Sequence, residues 1–329
     1  MNLWLKSLVM FFMKTSILVG GQAVIEGVMM RVPGAYSTAL RLKNGKIISR
    51  RFEFSSIIEK YNLKKLFIIR GFIHLYESMK IGYQTLDWSA ETYDEENNSK
   101  RKNSLLNSIL EKIVSIFSIF ISIGIFLGLP LYLSSLLIPN STNSPLYFNI
   151  ISGLVRISIF LIYLILISQL NDIRRLFQYH GAEHKTVYNF ESGQELSIEN
   201  AQKFSTLHPR CGTSFIFIIM IVTIFSYAIL DSIALLFIDE LNFFIRLTMH
   251  LICLPLVAGI GYEVLKFLST KQHILFFQFL SKPGLLLQNI TTKEPDNDQV
   301  EVAIHALKSA FGKKIDDFSG KKFTAESIG

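Results

Sequence analysis

The sequence predicts a mostly α-helical, polytopic membrane protein. It is expected to have about four transmembrane helices, an N-terminal mixed α/β cytoplasmic segment and a cytoplasmic loop that carries a metal motif. Half of the residues are hydrophobic and only 18% are charged, which is too apolar for an ordinary soluble protein. The apolar residues are also gathered into runs long enough to cross a bilayer. The length of these runs and the placement of Lys and Arg between them carry the prediction.

The first apolar run extends from Ile113 to Ile138 and contains no charged residue. A helix of about 20 apolar residues is long enough to cross the hydrocarbon core of a membrane. Three further runs extend from about Leu146 to Leu170, from about Thr213 to Leu230 and from about Phe243 to Tyr262. We therefore expect a four-helix transmembrane domain over residues 105–268, with a loop at 171–212 between the second and third spans.

The distribution of Lys and Arg predicts the orientation of these spans. Basic residues are concentrated before the first span, in the loop between spans two and three, and after span four, whereas residues 131–148 carry no charge. Because basic residues accumulate on the cytoplasmic side, both termini and the loop are expected in the cytoplasm. The net charge of +7 then favours membrane lipids as partners rather than nucleic acid, for which no binding motif is present.

The segments outside the spans are predicted from their local patterns. Residues 1–19 are apolar but are interrupted by Lys6 and Lys14, which favours an amphipathic helix on the membrane face over a weak span or a targeting segment. Residues 20–104 form an α/β segment. It contains a β-hairpin from Tyr36 to Arg51 with an Asn-Gly turn, a helix from Leu63 to Leu86 and a polar linker from Glu91 to Asn103. Residues 269–329 form a C-terminal tail with a short amphipathic helix from Gln299 to Phe311.

The strongest chemical signal is the pattern H-x-x-E-H formed by His180, Glu183 and His184. On a helix, two His residues four positions apart project from one face and can close on one metal ion. The adjacent Glu183 can act as a general base, as in the inverzincin metallopeptidases, which share this order of residues. The alternative is an interfacial helix end at which these side chains are solvated or bond to backbone carbonyls.

Three residues are candidates for a third metal ligand. His208 and Cys211 follow in the same loop, and Cys211 would be a soft ligand suited to zinc; its alternative role is packing beside Gly212. Glu263 lies near the cytoplasmic end of span four, where an ionisable residue is usually paired or functional. It is either a ligand or the ion-pair partner of Lys266 or of an arginine.

The remaining candidates are charged residues near the membrane. Glu26 lies in a Gly-bounded apolar stretch and either supplies a catalytic carboxylate or forms a salt bridge with Arg31. Arg210 is a candidate for stabilising a developing oxyanion. Four further arginines are candidates for binding lipid phosphates, although the positive-inside bias alone also explains arginines at such positions; these are Arg31, Arg70, Arg174 and Arg175.

Several longer motifs resemble a known family. They are Gly20 to Arg31, Asp172 to Val187, Thr206 to Phe215, Pro255 to Glu263, Pro283 to Gln288 and Thr291 to Asp296. Together they are similar to the YqhQ-like family of bacterial and plastid membrane proteins, whose function is unknown and which is labelled "predicted metal-dependent enzyme". The resemblance covers roughly Gly20 to Leu307. It implies an integral membrane protein of a bacterial inner or plasma membrane or of a plastid membrane, and it does not identify a substrate.

Two functions remain open at this point. The first is a membrane-embedded metal-dependent hydrolase that uses zinc or another divalent metal on a peptide or on a lipid-linked ester or phosphate. The second is a non-catalytic metal- or lipid-binding scaffold or assembly factor. Metal transport is disfavoured because no span carries a file of polar residues. The oligomeric state is left open.

Overall fold

The computed structural model describes residues 16–17, 19–96, 105–138, 144–209, 211–270, 275–318 and 320–325. The protein is mostly helical with one small antiparallel sheet, as predicted. The strands are β1 Ser16–Ile17, β2 Gly20–Val24, β3 Gly27–Val32, β4 Ala35–Arg41, β5 Ile47–Glu53 and β6 Thr324–Ala325. The helices are α1 Ile57–Lys60, α2 Phe67–Glu96, α3 Leu105–Ile123, α4 Leu129–Leu137, α5 Pro145–Ile167, α6 Asn171–Ser192, α7 Ile198–Gln202, α8 Gly212–Ala234, α9 Phe243–Thr270, α10 Leu275–Thr291 and α11 Asn297–Phe311.

Four segments are long and apolar enough to cross a membrane, as the sequence predicts: Ile113–Leu137, Pro145–Ile167, Ile216–Ala234 and Phe243–Phe267. The first comprises most of α3, a π-helical turn at Gly124–Gly128 and α4. Helix α8 packs between α5 and α9. Many of the large apolar side chains on these helices are exposed, as expected for surfaces that face lipid rather than a protein core.

The N-terminal sheet has the strand order β2-β3-β4-β5 and is antiparallel throughout. The predicted β-hairpin is formed by β4 and β5. Its turn depends on Gly45, whose φ of +82° lies in the left-handed region that favours glycine. The Asn44 side chain accepts a hydrogen bond from the backbone N–H of Lys46 at 2.9 Å and so closes the turn.

Helix α11 covers one face of this sheet and contacts β3, β4 and β5. It begins with a capping box in which Asp296 and Gln299 each bond to the other's backbone, and its predicted bounds are close to those observed. Its buried face joins apolar residues of the sheet and of α6 in one hydrophobic core. The N-terminal segment and the C-terminal tail, which the sequence treats as separate, therefore share one core.

Three predictions for local structure need correction. Residues 16–17 of the proposed leader helix form a strand paired with β6, and most of residues 1–19 lies outside the described residues. Helix α2 continues into the predicted polar linker as far as Glu96, because residues 91–96 contain no Gly or Pro to end it. The tail, expected to contain only a short amphipathic helix, also contains the long helix α10, whereas α6 in the 171–212 loop carries the His pattern on a helix as expected.

Candidate metal centre

Helix α6 places His180, Glu183 and His184 on one side of the helix, as their spacing predicts. Glu183 and His184 are buried. At Gly181 the helix packs so closely against the chain after α10 that there is no room for a side chain. A Cβ atom there would overlap the Lys293 carbonyl and would lie 3.2 Å from Cγ2 of Thr206. This glycine allows backbone from two other segments to reach the His side chains.

Backbone carbonyls orient both imidazoles. Nδ1 of His180 donates to the Thr291 carbonyl at 2.8 Å, and Nδ1 of His184 donates to the Thr206 carbonyl. Because each Nδ1 carries its proton toward a carbonyl, each Nε2 presents a lone pair on the opposite side of the ring. The two ring centroids are 4.5 Å apart. This hydrogen-bonding pattern is the one that orients His ligands in metalloproteins.

Cys211 completes a group of three donors. It immediately precedes α8, and its Sγ lies 3.3 Å from Nε2 of His180. One ligand atom from each of His180, His184 and Cys211 lies within 4.8 Å of the others. Two imidazole nitrogens and one thiolate match the donor chemistry of zinc, and three protein ligands leave a tetrahedral ion one open position. Nε2 of His184 is buried and has no hydrogen-bond partner among the described residues.

Glu183 borders this group without belonging to it. Its Oε2 lies 3.5 Å from Nε2 of His184, and its carboxylate accepts a hydrogen bond from the backbone of Gly21. Burial raises the pKa of Glu183, whereas His180, His208 and the Gly21 hydrogen bond oppose that rise. A raised pKa brings a carboxylate closer to the range in which it works best as a general base at neutral pH.

His208 lies beside the three donors rather than among them. Its ring centroid is 5.5 Å from that of His184, and its Nε2 is 3.7 Å from the Glu191 carboxylate. The Gln288 side chain holds its backbone through two hydrogen bonds of 2.7 and 2.8 Å. Burial lowers the pKa of His208, and Glu191 opposes that effect. Of the three candidates for a third ligand, the geometry therefore favours Cys211.

Glu263 is engaged elsewhere. Arg70 on α2 donates two hydrogen bonds to its carboxylate, of 2.6 and 2.5 Å, and the Glu263 side chain is only 6% exposed. The two helices approach closely here, since Gly71 of α2 lies against the backbone carbonyl of Gly259. The arginine pairing left open by the sequence is the one observed, and the three-donor group does not include Glu263.

Glu26 also forms an ion pair, with Arg175 rather than with Arg31. Arg175 donates two hydrogen bonds of 2.5 and 2.6 Å to it, and the Tyr179 hydroxyl donates a third at 3.3 Å. Glu26 occupies the turn between β2 and β3 with a φ of +53°, which is unusual for a residue other than glycine. The pair links this hairpin to α6 about one and a half helical turns before His180.

The other arginines differ in their surroundings. Arg174 is exposed, and the Arg31 guanidinium lies 4.5 Å from the centroid of the Phe54 ring. Arg210 lies outside the described residues, so its proposed role toward an oxyanion stays a prediction.

Sequence reasoning missed several residues of the site. Glu191 lies eleven residues after His180, which is close to three helical turns and places both residues on the same side of a helix. Extending the predicted helix through the loop would therefore have identified Glu191 as part of the site. The contributions of Thr206 and Thr291 are backbone carbonyls, which residue type does not reveal. Gln288 acts on the backbone of His208 from a segment predicted to be a tail.

Comparison with known proteins identifies relatives but no activity. The family described as "Protein of unknown function (DUF1385)" matches residues 66–313. A protein of Bacillus subtilis (strain 168) named "Uncharacterized protein YqhQ" is 34% identical over 301 residues, which cover 88% of this chain and 90% of the relative. No solved structure matches the chain.

Proposed function

Because the chain belongs to the DUF1385 family of proteins of unknown function, its activity must be inferred from the site, and we propose a metal-dependent hydrolase at the cytoplasmic face of the membrane. In this proposal His180, His184 and Cys211 hold a divalent metal of the zinc type. The observation that carries it is the convergence of these three donors within 4.8 Å, together with the carbonyl contacts of both Nδ1 atoms, which leave each Nε2 lone pair available to an ion.

The chain supplies a base beside the proposed ion. When bound, a zinc ion provides Lewis acidity and lowers the pKa of a coordinated water. Glu183 would accept a proton from the attacking water at its carboxylate, because that carboxylate lies 3.5 Å from the Nε2 atom of His184 and burial raises its pKa. Arg210 is proposed to stabilise the developing oxyanion. The substrate class is a peptide or a lipid-linked ester or phosphate at the membrane face.

One observation favours a second candidate, a structural metal site in a non-catalytic scaffold. The three donors and their carbonyl partners join α6, the segment before α8 and the end of α10. An ion at this point would cross-link α6 to the segment before α8, as structural zinc sites link separate segments, and the Thr291 carbonyl of α10 would hold one of its ligands in place. The scaffold does not need Glu183 as a base, so this residue distinguishes the two candidates.

The first test is the metal content of the purified full-length protein, measured by elemental mass spectrometry. We expect about one zinc per chain in the native protein and a large loss in His180→Ala, His184→Ala and Cys211→Ala. His305→Ala is the matched control, since His305 is an exposed residue of α11 outside the site. Metal-free native protein, or unchanged metal content in all three ligand variants, would refute the proposed centre.

Cobalt substitution tests the donor set directly. The Co²⁺-loaded protein is expected to show a thiolate-to-cobalt charge-transfer band in the near ultraviolet, because Cys211 supplies the sulfur ligand. The band should be absent in Cys211→Ser and present in Cys253→Ser, which removes the other free cysteine. A band that persists without Cys211 would assign the sulfur donor elsewhere.

A further inference from the structure

A cavity of about 120 Å³ lies between the β2–β3 hairpin and α2. It is lined by Gly20, Gly21, Gln22, Met29, Arg31, Ser78 and Ile81. This volume is well above the roughly 10–15 Å³ that a single water molecule needs, so the cavity accommodates a tetrahedral phosphate group. We propose that this cavity binds a phosphate group and that Arg31 is its principal cation.

Arg31 differs from two other arginines of this region in having no carboxylate bonded to its guanidinium. Arg70 and Arg175 each hold a carboxylate through two hydrogen bonds. The Arg31 guanidinium makes no hydrogen bond and no ion pair with any described residue, and it packs on the face of Phe54 at 4.5 Å from the ring centroid. A half-buried guanidinium with unused donors at the wall of a cavity is suited to bidentate recognition of phosphate.

Two neutral side chains add donors to the same wall. The Gln22 amide and the Ser78 hydroxyl line the cavity, and neither makes a hydrogen bond within the described part of the chain. Gly82 provides the space for Gln22, since a Cβ atom at position 82 would lie 2.7 Å from Oε1 of Gln22. An amide N–H and a hydroxyl beside a guanidinium form the donor set expected around phosphate oxygens.

The buried carboxylate with the largest electrostatic effect on Arg31 is held by other donors. Glu77 interacts electrostatically with Arg31, but its oxygens accept hydrogen bonds from the Ser56 hydroxyl and from the backbone N–H of Ile57. Because these donors already hold the Glu77 carboxylate, the Arg31 donors remain available to a ligand.

Arg31 lies within electrostatic range of the end of span four. Arg31 interacts electrostatically with Tyr262 of α9, and Nζ of Lys266 lies 5.9 Å from the centroid of the Tyr262 ring. A phosphate bound here comes from a lipid headgroup or from a free phosphorylated compound, and the chemistry of recognition is the same for both. The site is separate from the proposed metal centre, although Gly21 lines the cavity and also touches Glu183.

The test is isothermal titration of the purified full-length protein, with whatever metal it carries, in an uncharged detergent. The probes are inorganic phosphate and a short-chain phosphatidic acid. Arg31→Gln is expected to weaken binding about tenfold or more, because it removes charge-assisted hydrogen bonds. Arg50→Gln is the matched control. Arg50 also packs on an aromatic ring, 4.8 Å from the centroid of Trp88, but does not line the cavity.

The outcomes separate the sources of the phosphate. Similar binding of both probes assigns the site to free phosphorylated compounds, and binding of the phosphatidic acid alone assigns it to headgroups. Gln22→Met, which should also weaken binding, serves as the test if Arg31→Gln does not fold. Failure of the native protein to bind either probe, or equal binding by the native protein and the folded cavity variants, overturns the proposal. Because the native protein and the cavity variants have the same His180, His184 and Cys211 side chains, a failure of the metal centre would not change this comparison.

Discussion

Gly21 lies directly against Glu183, so strand β2 and helix α6 meet at the carboxylate proposed as the base. A Cβ atom at position 21 would be 2.9 Å from Cγ of Glu183 and would overlap the Met29 carbonyl of the neighbouring strand. The backbone of Gly21 also donates a hydrogen bond to the Glu183 carboxylate. The N-terminal sheet thus helps to set the position of a side chain that lies far from it in the sequence.

Gly21→Ala is therefore expected to destabilise the folded protein by about 1–3 kcal/mol, since overpacking forces backbone or side chains to shift. The measurement is the free energy of unfolding, or the thermal midpoint in detergent. Gly261→Ala is the control, because a Cβ atom there meets nothing within 4 Å. Equal stability of Gly21→Ala and the native protein would show that the contact with Glu183 is looser than the structure indicates.

The substitution Glu183→Gln distinguishes the proposed hydrolase from the non-catalytic scaffold. The substitution retains the size of the side chain and removes the carboxylate, and loss of a general base typically costs about 10²–10⁴ in rate. We expect zinc content to stay near that of the native protein while the variant fails to complement a strain that lacks the protein. His184→Ala should fail in both respects. Complementation by Glu183→Gln together with failure of His184→Ala would favour the structural metal site.

Breaking the Arg70–Glu263 pair is expected to destabilise the protein without reducing its metal content. Glu263→Gln leaves the Arg70 guanidinium without its buried partner, which typically costs about 3–5 kcal/mol for a buried pair. Arg70 is partly exposed, with 21% of its side-chain surface accessible, so we expect a cost below that range. Zinc content should be unchanged, because Glu263 is not one of the three converging donors. Loss of zinc from a folded Glu263→Gln variant would return Glu263 to the ligand set.

A buried polar cluster lies where span three ends and span four begins, at the ends of these spans away from the proposed metal centre, and it allows a separate prediction. Asp231 accepts hydrogen bonds from Asn149, Arg246 and His250 at 2.7, 3.1 and 2.8 Å and is fully buried. Asp231→Ala would leave Arg246 buried without its carboxylate and should destabilise the bundle by about 3–5 kcal/mol.

The control for this prediction is Asp239→Asn, since Asp239 is exposed in the segment between α8 and α9. It should change stability by less than about 0.5 kcal/mol. Resistance to unfolding in detergent would be compared for the two variants and the native protein. If Asp231→Ala were as stable as Asp239→Asn, the cluster would not hold these helices together.

The sequence predicts best those features that depend on local pattern. Apolar runs predict the four spans and the Asn44-Gly45 turn predicts the hairpin, because both features are determined by residues that are close together in the sequence. The spacing of His180 and His184 likewise predicts their common face. The partners of these residues come from remote segments, such as the Thr291 carbonyl and Gly21. Such contacts depend on tertiary packing, and no local pattern encodes them.

Membrane orientation provides the last prediction. The basic residues before span one, between spans two and three and after span four should place both termini and the metal centre in the cytoplasm. A topology reporter fused after Gly329 and one inserted near Ser192 should both report the cytoplasm, and one inserted at Asn143 should report the outside.

The reporter near Ser192 is the most informative about the proposed metal centre, because helix α6 carries the two His donors and ends at this residue. A cytoplasmic position keeps Cys211 in a reducing compartment, where it stays a thiol available to a metal ion. An external signal near Ser192 together with an internal one at Asn143 would invert the spans. Cys211 would then face an oxidising compartment, and a hydrolase acting from the cytoplasm would no longer be tenable.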